Sequence, residues 1–209
     1  MQTYGIPTIS HTLVKTTQLS SPKTAGKRYA DTEVLLGEIF GNEPASARSI
    51  ESFGRMNYLH GVHRASGKIL DDDMLYTLAL FATEPIKWVE KYDWRKLSDL
   101  ERCAMGTFIK SMGDAMLIDY GQLPSAKRGF QDGIQWLEEI WRWAEEYEIK
   151  HMVPDENNHQ TANATTAILL LALPEGLKPI GRHAVSAAMD DRLRRAMMFV
   201  NTLPFAFRG

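Results

Sequence analysis

The sequence holds one cysteine, Cys103, in 209 residues. No intrachain disulfide can form, and nothing calls for an oxidising compartment. Cys103 lies within a helical pattern, ERCAMGTF, with no cluster of positive charge to lower its pKa, so it reads as an inert thiol rather than a thiolate ligand. An excess of one charge is missing too: 24 Lys and Arg against 26 Asp and Glu leave −2. Without a Lys/Arg-rich face there is no electrostatic footprint for nucleic acid, and that partner is excluded. Long apolar runs are absent. The longest, AILLLAL at 167–173, falls far short of the roughly 20 residues that cross a bilayer, and the amino-terminal MQTYGIPTISHTLV has neither the basic start nor the apolar run of a signal peptide. A cytoplasmic chain is therefore one expectation. Peripheral membrane contact stays open, because Trp141, Trp143 and the carboxy-terminal LPFAF are aromatic surface of the kind that anchors at interfaces, although core packing accounts for tryptophans equally well. No segment alternates like a strand, and no repeat, low-complexity tract or linker is present.

What is present reads as one all-α, single-domain bundle of about seven helices. Apolar residues make up 44% and charged residues 24%, the balance of a soluble globular domain. After a loop-rich start with one helical piece near 11–17, the expected helices are 27–40, 47–65, 71–92 (kinked at Pro85), 98–117, 124–150, 156–173 and one after Pro179 to about 199. Their signals are the Gly41-Asn42 and Gly67 stops, the aspartates Asp71 to Asp73 in a first turn, the S-x-x-E capping box of Ser98 and Glu101, and Pro124 as a helix start. In the fifth helix Trp136, Ile140, Trp143 and Tyr147 form a buried seam, and Glu138, Glu139, Arg142, Glu145 and Glu146 form its solvated face.

Four groups of residues could carry chemistry. Met56, Phe53 and Ile50 lie four, seven and ten residues before His60, which puts an imidazole on an apolar helical stripe; a core histidine with an ordinary hydrogen bond and a cofactor ligand both fit that pattern. His63 shares part of that face, but no third ligand at zinc spacing stands nearby. Glu148/His151 and Glu156/His159 have the Glu-x-x-His spacing of di-iron bundles, yet Pro154 separates them, and polar residues around a turn explain them as well. Arg28 and Thr32 are four apart on one helix face, as an ion-pair and cap arrangement or as a pocket's cation and hydroxyl.

Several ordered blocks carry a family resemblance: KRYADT from Lys27, RMNYLHGVH from Arg55, DDDMLYTLALFATEPIKWV from Asp71, WRKLSDLER from Trp94 and WAEEYEIKHMVP from Trp143. Together, from about Tyr4 to Met198, the chain resembles the fungal branch of the haem-dependent rubber oxygenase family. This is the branch of the endoplasmic-reticulum-bound oxygenases of mycophenolic acid biosynthesis, and the latex clearing proteins are its bacterial relatives. The resemblance implies a helical domain enclosing haem b, and oxidative cleavage by O2 of a carbon-carbon double bond in a hydrophobic isoprenoid-type small molecule. It implies His60 as the axial iron ligand, Arg28 and Thr32 as distal catalytic residues, and Arg28 also as a partner for the haem; Phe53, Met56, Leu78 and Phe81 fit as pocket walls, and ordinary core packing accounts for each of them as well. Where bacterial members place a distal lysine this sequence has Asp31, and around Thr12, where the family has a catalytic glutamate, no acid stands. Fungal members carry a membrane-spanning segment ahead of the matched part, and the sequence begins near where that segment would end. The resemblance thus implies an ER-membrane-associated family and a form without that segment. Two hypotheses follow: a haem oxygenase, or a non-catalytic helical protein that keeps the haem or apolar-ligand pocket without the reaction.

Overall fold

The structure, a computed structural model, describes residues 1–15 and 24–199. Among them are nine α-helices and two 3-10 turns, and no strand. The helices are α1 (Pro7–Lys15), α2 (Ala25–Phe40), α3 (Ala47–Ala65), α4 (Asp71–Tyr92), α5 (Asp99–Ala115), α6 (Gly133–His151), α7 (Glu156–Leu169), α8 (Lys178–Ala188) and α9 (Asp191–Ala196). By contacts the chain divides into two compact units. One joins Met1–Glu33 to Lys150–Gly209, and the other is the continuous stretch Val34–Ile149.

In the continuous unit the start and stop signals act where the sequence puts them. Ser46 caps α3 by accepting from the Ser49 amide, Gly67 follows it at φ 68°, and three aspartates open α4. α4 runs as a helix through Pro85. Its core face (Leu75, Tyr76, Leu78, Ala79, Ala82, Ile86) and that of α6 (Trp136, Leu137, Ile140) are nearly or wholly removed from water. Two reciprocal clasps join these helices: the Tyr76 hydroxyl donates to Glu148 at 3.0 Å and the Tyr147 hydroxyl to Asp73 at 2.7 Å, with the two rings stacked 5.1 Å apart. Both carboxylates are buried, and each receives a phenolic proton from the opposite helix, which offsets the cost of removing it from water.

The α6 start departs from the expectation. Residues 124–132 form turns and bends, and the helix begins at Gly133 rather than at Pro124. A tertiary contact sets that boundary: a Cβ on Gly133 would run into the Cys103 carbonyl and Thr107, and one on Gly106 into the Gly133 carbonyl, so the backbones of α5 and α6 touch there. Glu139 also leaves the solvated face assigned to it. It is buried and accepts from the Ser125 amide at 2.9 Å and the Ser125 hydroxyl at 2.6 Å, which pins the turn to α6.

At the head of α5 the capping box forms in full, and Arg95 adds a two-pronged ion pair to Glu101, both contacts at 2.8 Å. The guanidinium, then the Ser98 amide and hydroxyl, hold the Glu101 carboxyl at about 2, against an ordinary 4.5. Because the folded value is the lower one, this cap contributes fully above pH 4.5 and is lost as pH falls through 2. A carboxyl-carbon NMR titration should place the Glu101 midpoint near 2, and Arg95→Ala should move it upward. A midpoint near 4.5 in the unaltered chain would refute the clasp.

The discontinuous unit is tied at Asn158, which is wholly buried. Its amide donates to the carbonyls of Gly5 (3.2 Å), Val153 (2.9 Å) and Ala196 (3.1 Å), and its oxygen accepts from the Ser10 hydroxyl. The single helix expected from 156 to 173 ends at Leu169, and the last helix is two. Met189 takes an extended conformation (ψ 146°), and Asp190 caps α9 through the Leu193 amide. Of the helical piece expected at 11–17, residues 11–15 fall in α1 and 16–17 lie outside the described residues.

Candidate functional site

Each candidate residue falls on a helix, but in one unit or the other. Phe53, Met56 and His60 are on α3 in the continuous unit; Arg28 and Thr32 are on the first two turns of α2 in the discontinuous one.

On α3, Met56 is buried, Phe53 and His60 are half-buried, and Ile50 is exposed. The stripe is therefore only partly covered. Phe53 and Ile50 line a cleft of about 360 Å³ together with Ile39, Pro44, Phe108 and Ala115. Its one polar side chain, Ser111, already donates to the Phe108 carbonyl at 2.7 Å, so the lining presents little but hydrocarbon. His60 follows Phe53 by seven residues on the same face, two turns or about 10 Å along the axis, and does not line the cleft itself. Leu78 is buried, and Phe81 meets Phe40 with ring centroids 6.1 Å apart. The α3 face thus carries a half-buried imidazole at one end and, two turns away at Phe53, the wall of an apolar cleft.

On α2 the Arg28 guanidinium donates to the Thr32 hydroxyl, and that hydroxyl donates to the Arg28 carbonyl at 3.2 Å. Helical spacing alone brings this pair together. Sequence reasoning missed the Tyr4 phenol, on the 3-10 turn Gln2–Gly5, which feels the Arg28 charge. Burial pushes the phenol above its ordinary 10.0. The Thr165 hydroxyl, close by though short of full hydrogen-bond geometry, and the Arg28 charge pull the other way. No local pattern reveals that Thr165 lies close to Tyr4 or that Arg28 acts on it. Asp31 is exposed and ion-paired to Lys27 at 2.6 Å, an i,i+4 surface pair worth little to stability. Of the nearby acids, Glu33 interacts with Tyr29, and Glu38 pairs with Arg48 at 2.6 Å.

The Glu-x-x-His units do not gather ligands. Glu148 is held by Tyr76, while His159 uses one ring nitrogen on the Met197 carbonyl (2.9 Å) and the other on Asn163 (2.8 Å). Among the described residues no group of three or more His, Cys, Asp or Glu side chains could hold a metal ion. Cys103 is half-buried.

Comparison with known proteins gives three matches. The chain is 55% identical over 199 residues, 95% of its length, to "ER-bound oxygenase mpaB" of Penicillium roqueforti (strain FM164), of which it covers 67%. It is 56% identical over 198 residues to "ER-bound oxygenase mpaB'" of Penicillium brevicompactum, with 95% of this chain and 47% of that protein aligned. It is 56% identical over 169 residues to "ER-bound oxygenase mpaB" of the same species, with 81% and 43% aligned. The chain thus spans about two thirds of the first and less than half of the other two. No family model matches, and no solved structure does.

Proposed function

Because the chain belongs to the family of the fungal ER-bound oxygenases, we propose that it is an ER-associated, haem b-dependent oxygenase that cleaves a carbon-carbon double bond in an isoprenoid-type side chain with O2. The observation that carries the cofactor is His60, half-buried on the α3 face that runs into the apolar cleft. His60 would hold the iron through a neutral ring nitrogen, and Phe53 and Met56 would wall the macrocycle. Bound haem would supply the activation of dioxygen. Arg28 and Thr32 belong to the other unit, where the guanidinium donates to the hydroxyl on the same helix face; the family resemblance would give these two the distal role. The apolar walls of the cleft would orient an apolar substrate.

The test is an absorption spectrum of the haem-supplemented chain with and without dithionite, followed by oxygen uptake with an unsaturated isoprenoid side-chain compound. A Soret band that shifts on reduction, with oxygen consumed, is the expected result; a colourless protein sinks the proposal. One observation favours a non-catalytic binding protein instead. Asp31, at the family's distal lysine position, turns to Lys27 in solvent. Ligand binding without oxygen uptake would select that reading.

A further inference from the structure

We propose that Tyr76, Tyr147 and Trp143 form a redox relay that carries single oxidising equivalents between the core of the continuous unit and its surface. The three rings stand in a row. Tyr76 of α4 stacks on Tyr147 of α6 with centroids 5.1 Å apart and ring planes 28° from parallel. Tyr147 stacks in turn on Trp143, four residues earlier on the same helix, at 5.1 Å and 27°. Both separations lie within the range of offset stacking. Tyr76 is wholly buried, Tyr147 is buried, and Trp143 is half-buried at the edge of the core. Phenol and indole are the aromatic side chains that give up one electron most readily. Phenylalanine in any of the three places would stack as well and relay nothing.

Stability alone does not call for this arrangement. Replacing a buried hydrogen-bonded pair by apolar groups of the same shape is nearly neutral, yet the unit buries two phenol–carboxylate pairs here, Tyr76 to Glu148 at 3.0 Å and Tyr147 to Asp73 at 2.7 Å. What the carboxylates add is a place for a proton. A phenol that loses an electron becomes a strong acid, and its oxidation inside a protein needs a base already within hydrogen-bond reach.

The electrons and protons balance at every step. A one-electron oxidant takes an electron from Tyr76, whose phenolic proton passes to Glu148. Tyr147 reduces the Tyr76 phenoxyl: Glu148 returns its proton to Tyr76, and the Tyr147 proton passes to Asp73. Trp143 reduces the Tyr147 phenoxyl and Asp73 returns that proton. The indole radical cation then takes an electron from a thiolate in solvent, which leaves as a thiyl radical. Each proton ends where it began, and one electron has moved from the thiolate to the oxidant. The source of the oxidant rests on the oxygenase reading, since dioxygen chemistry that stalls short of substrate leaves an oxidising equivalent to discharge.

Pulse radiolysis of the 209-residue chain with azide radicals, which oxidise indole in preference to phenol at neutral pH, runs the relay from its solvent end. It needs neither haem nor oxygen, so its outcome is independent of the Soret test. A Trp88→Phe background silences the neighbouring pair of Trp88 and Tyr92, with centroids 5.0 Å apart, while Trp136, beside Tyr120, is wholly buried and out of the radical's reach. Indole-radical absorbance should convert into phenoxyl absorbance at a rate that is independent of protein concentration and slower in deuterated solvent, because a proton moves with the electron. Trp143→Phe and Tyr147→Phe should each abolish that phase, and Asp73→Asn should slow it, since an amide does not take the proton. Should a variant at Tyr147 or Asp73 fail to fold, Trp143→Phe, at the half-buried position, carries the same test. A phase that survives Trp143→Phe, or indole radicals that decay without forming phenoxyl, overturns the proposal. So does a phase indifferent to both deuterium and Asp73→Asn.

Discussion

Replacing Asn158 by alanine should lower unfolding stability by about 4 kcal/mol, the largest loss expected from any single polar truncation in this chain. The side chain is wholly buried, and one amide group serves three backbone carbonyls, so at least one of its two hydrogens is shared. Truncation would strand the carbonyls of Gly5, Val153 and Ala196 and the Ser10 hydroxyl, and each buried group left without a partner costs about 1 to 3 kcal/mol. Relaxation and entering water recover part of that sum, and the small cavity adds to it. Asn158→Asp should be no better, since a carboxylate cannot donate to carbonyls and would bury a charge. Urea unfolding followed by circular dichroism measures both. A loss below about 1 kcal/mol for the alanine variant would show that the segments are held by packing alone.

The second large effect is functional. His60→Ala should abolish the Soret band and weaken haem retention at least ~100-fold, more than is usual for losing a residue that merely orients a ligand. Stability should change little, because the ring is only half-buried and alanine is the best helix former. Added imidazole should restore part of the band by filling the vacated position. Phe53→Ala and Met56→Ala, which remove contact area and no donor atom, should weaken retention less and leave the band position unchanged. A Soret band of full intensity in His60→Ala would transfer the iron to another ligand and end the assignment.

The contrast between local and distant signals explains what the sequence disclosed. The α3 and α4 boundaries were legible to the residue because Gly67 at positive φ and the aspartates of the next first turn act over a few residues. The capping box on α5 was legible for the same reason. The start of α6 was not. Pro124 is a sound local signal for a helix start, but the touching backbones at Gly106 and Gly133 and the burial of Glu139 onto Ser125 are tertiary facts. At the candidate site, Arg28 with Thr32 and Phe53 with His60 are helical spacings and could be read directly. Tyr4 could not be, since its polar neighbours lie 24 and 161 positions away.

The division of the chain also bears on its birth. The stretch Val34–Ile149 is uninterrupted in sequence, whereas Met1–Glu33 completes its unit only with residues made from Lys150 onward. During synthesis the segment Met1–Glu33 must wait, its Gly5 carbonyl without a donor and its Ser10 hydroxyl without an acceptor, until Asn158 is made. A stop ahead of α7 would therefore leave Met1–Glu33 without the residues that complete its unit, and exposed to proteolysis.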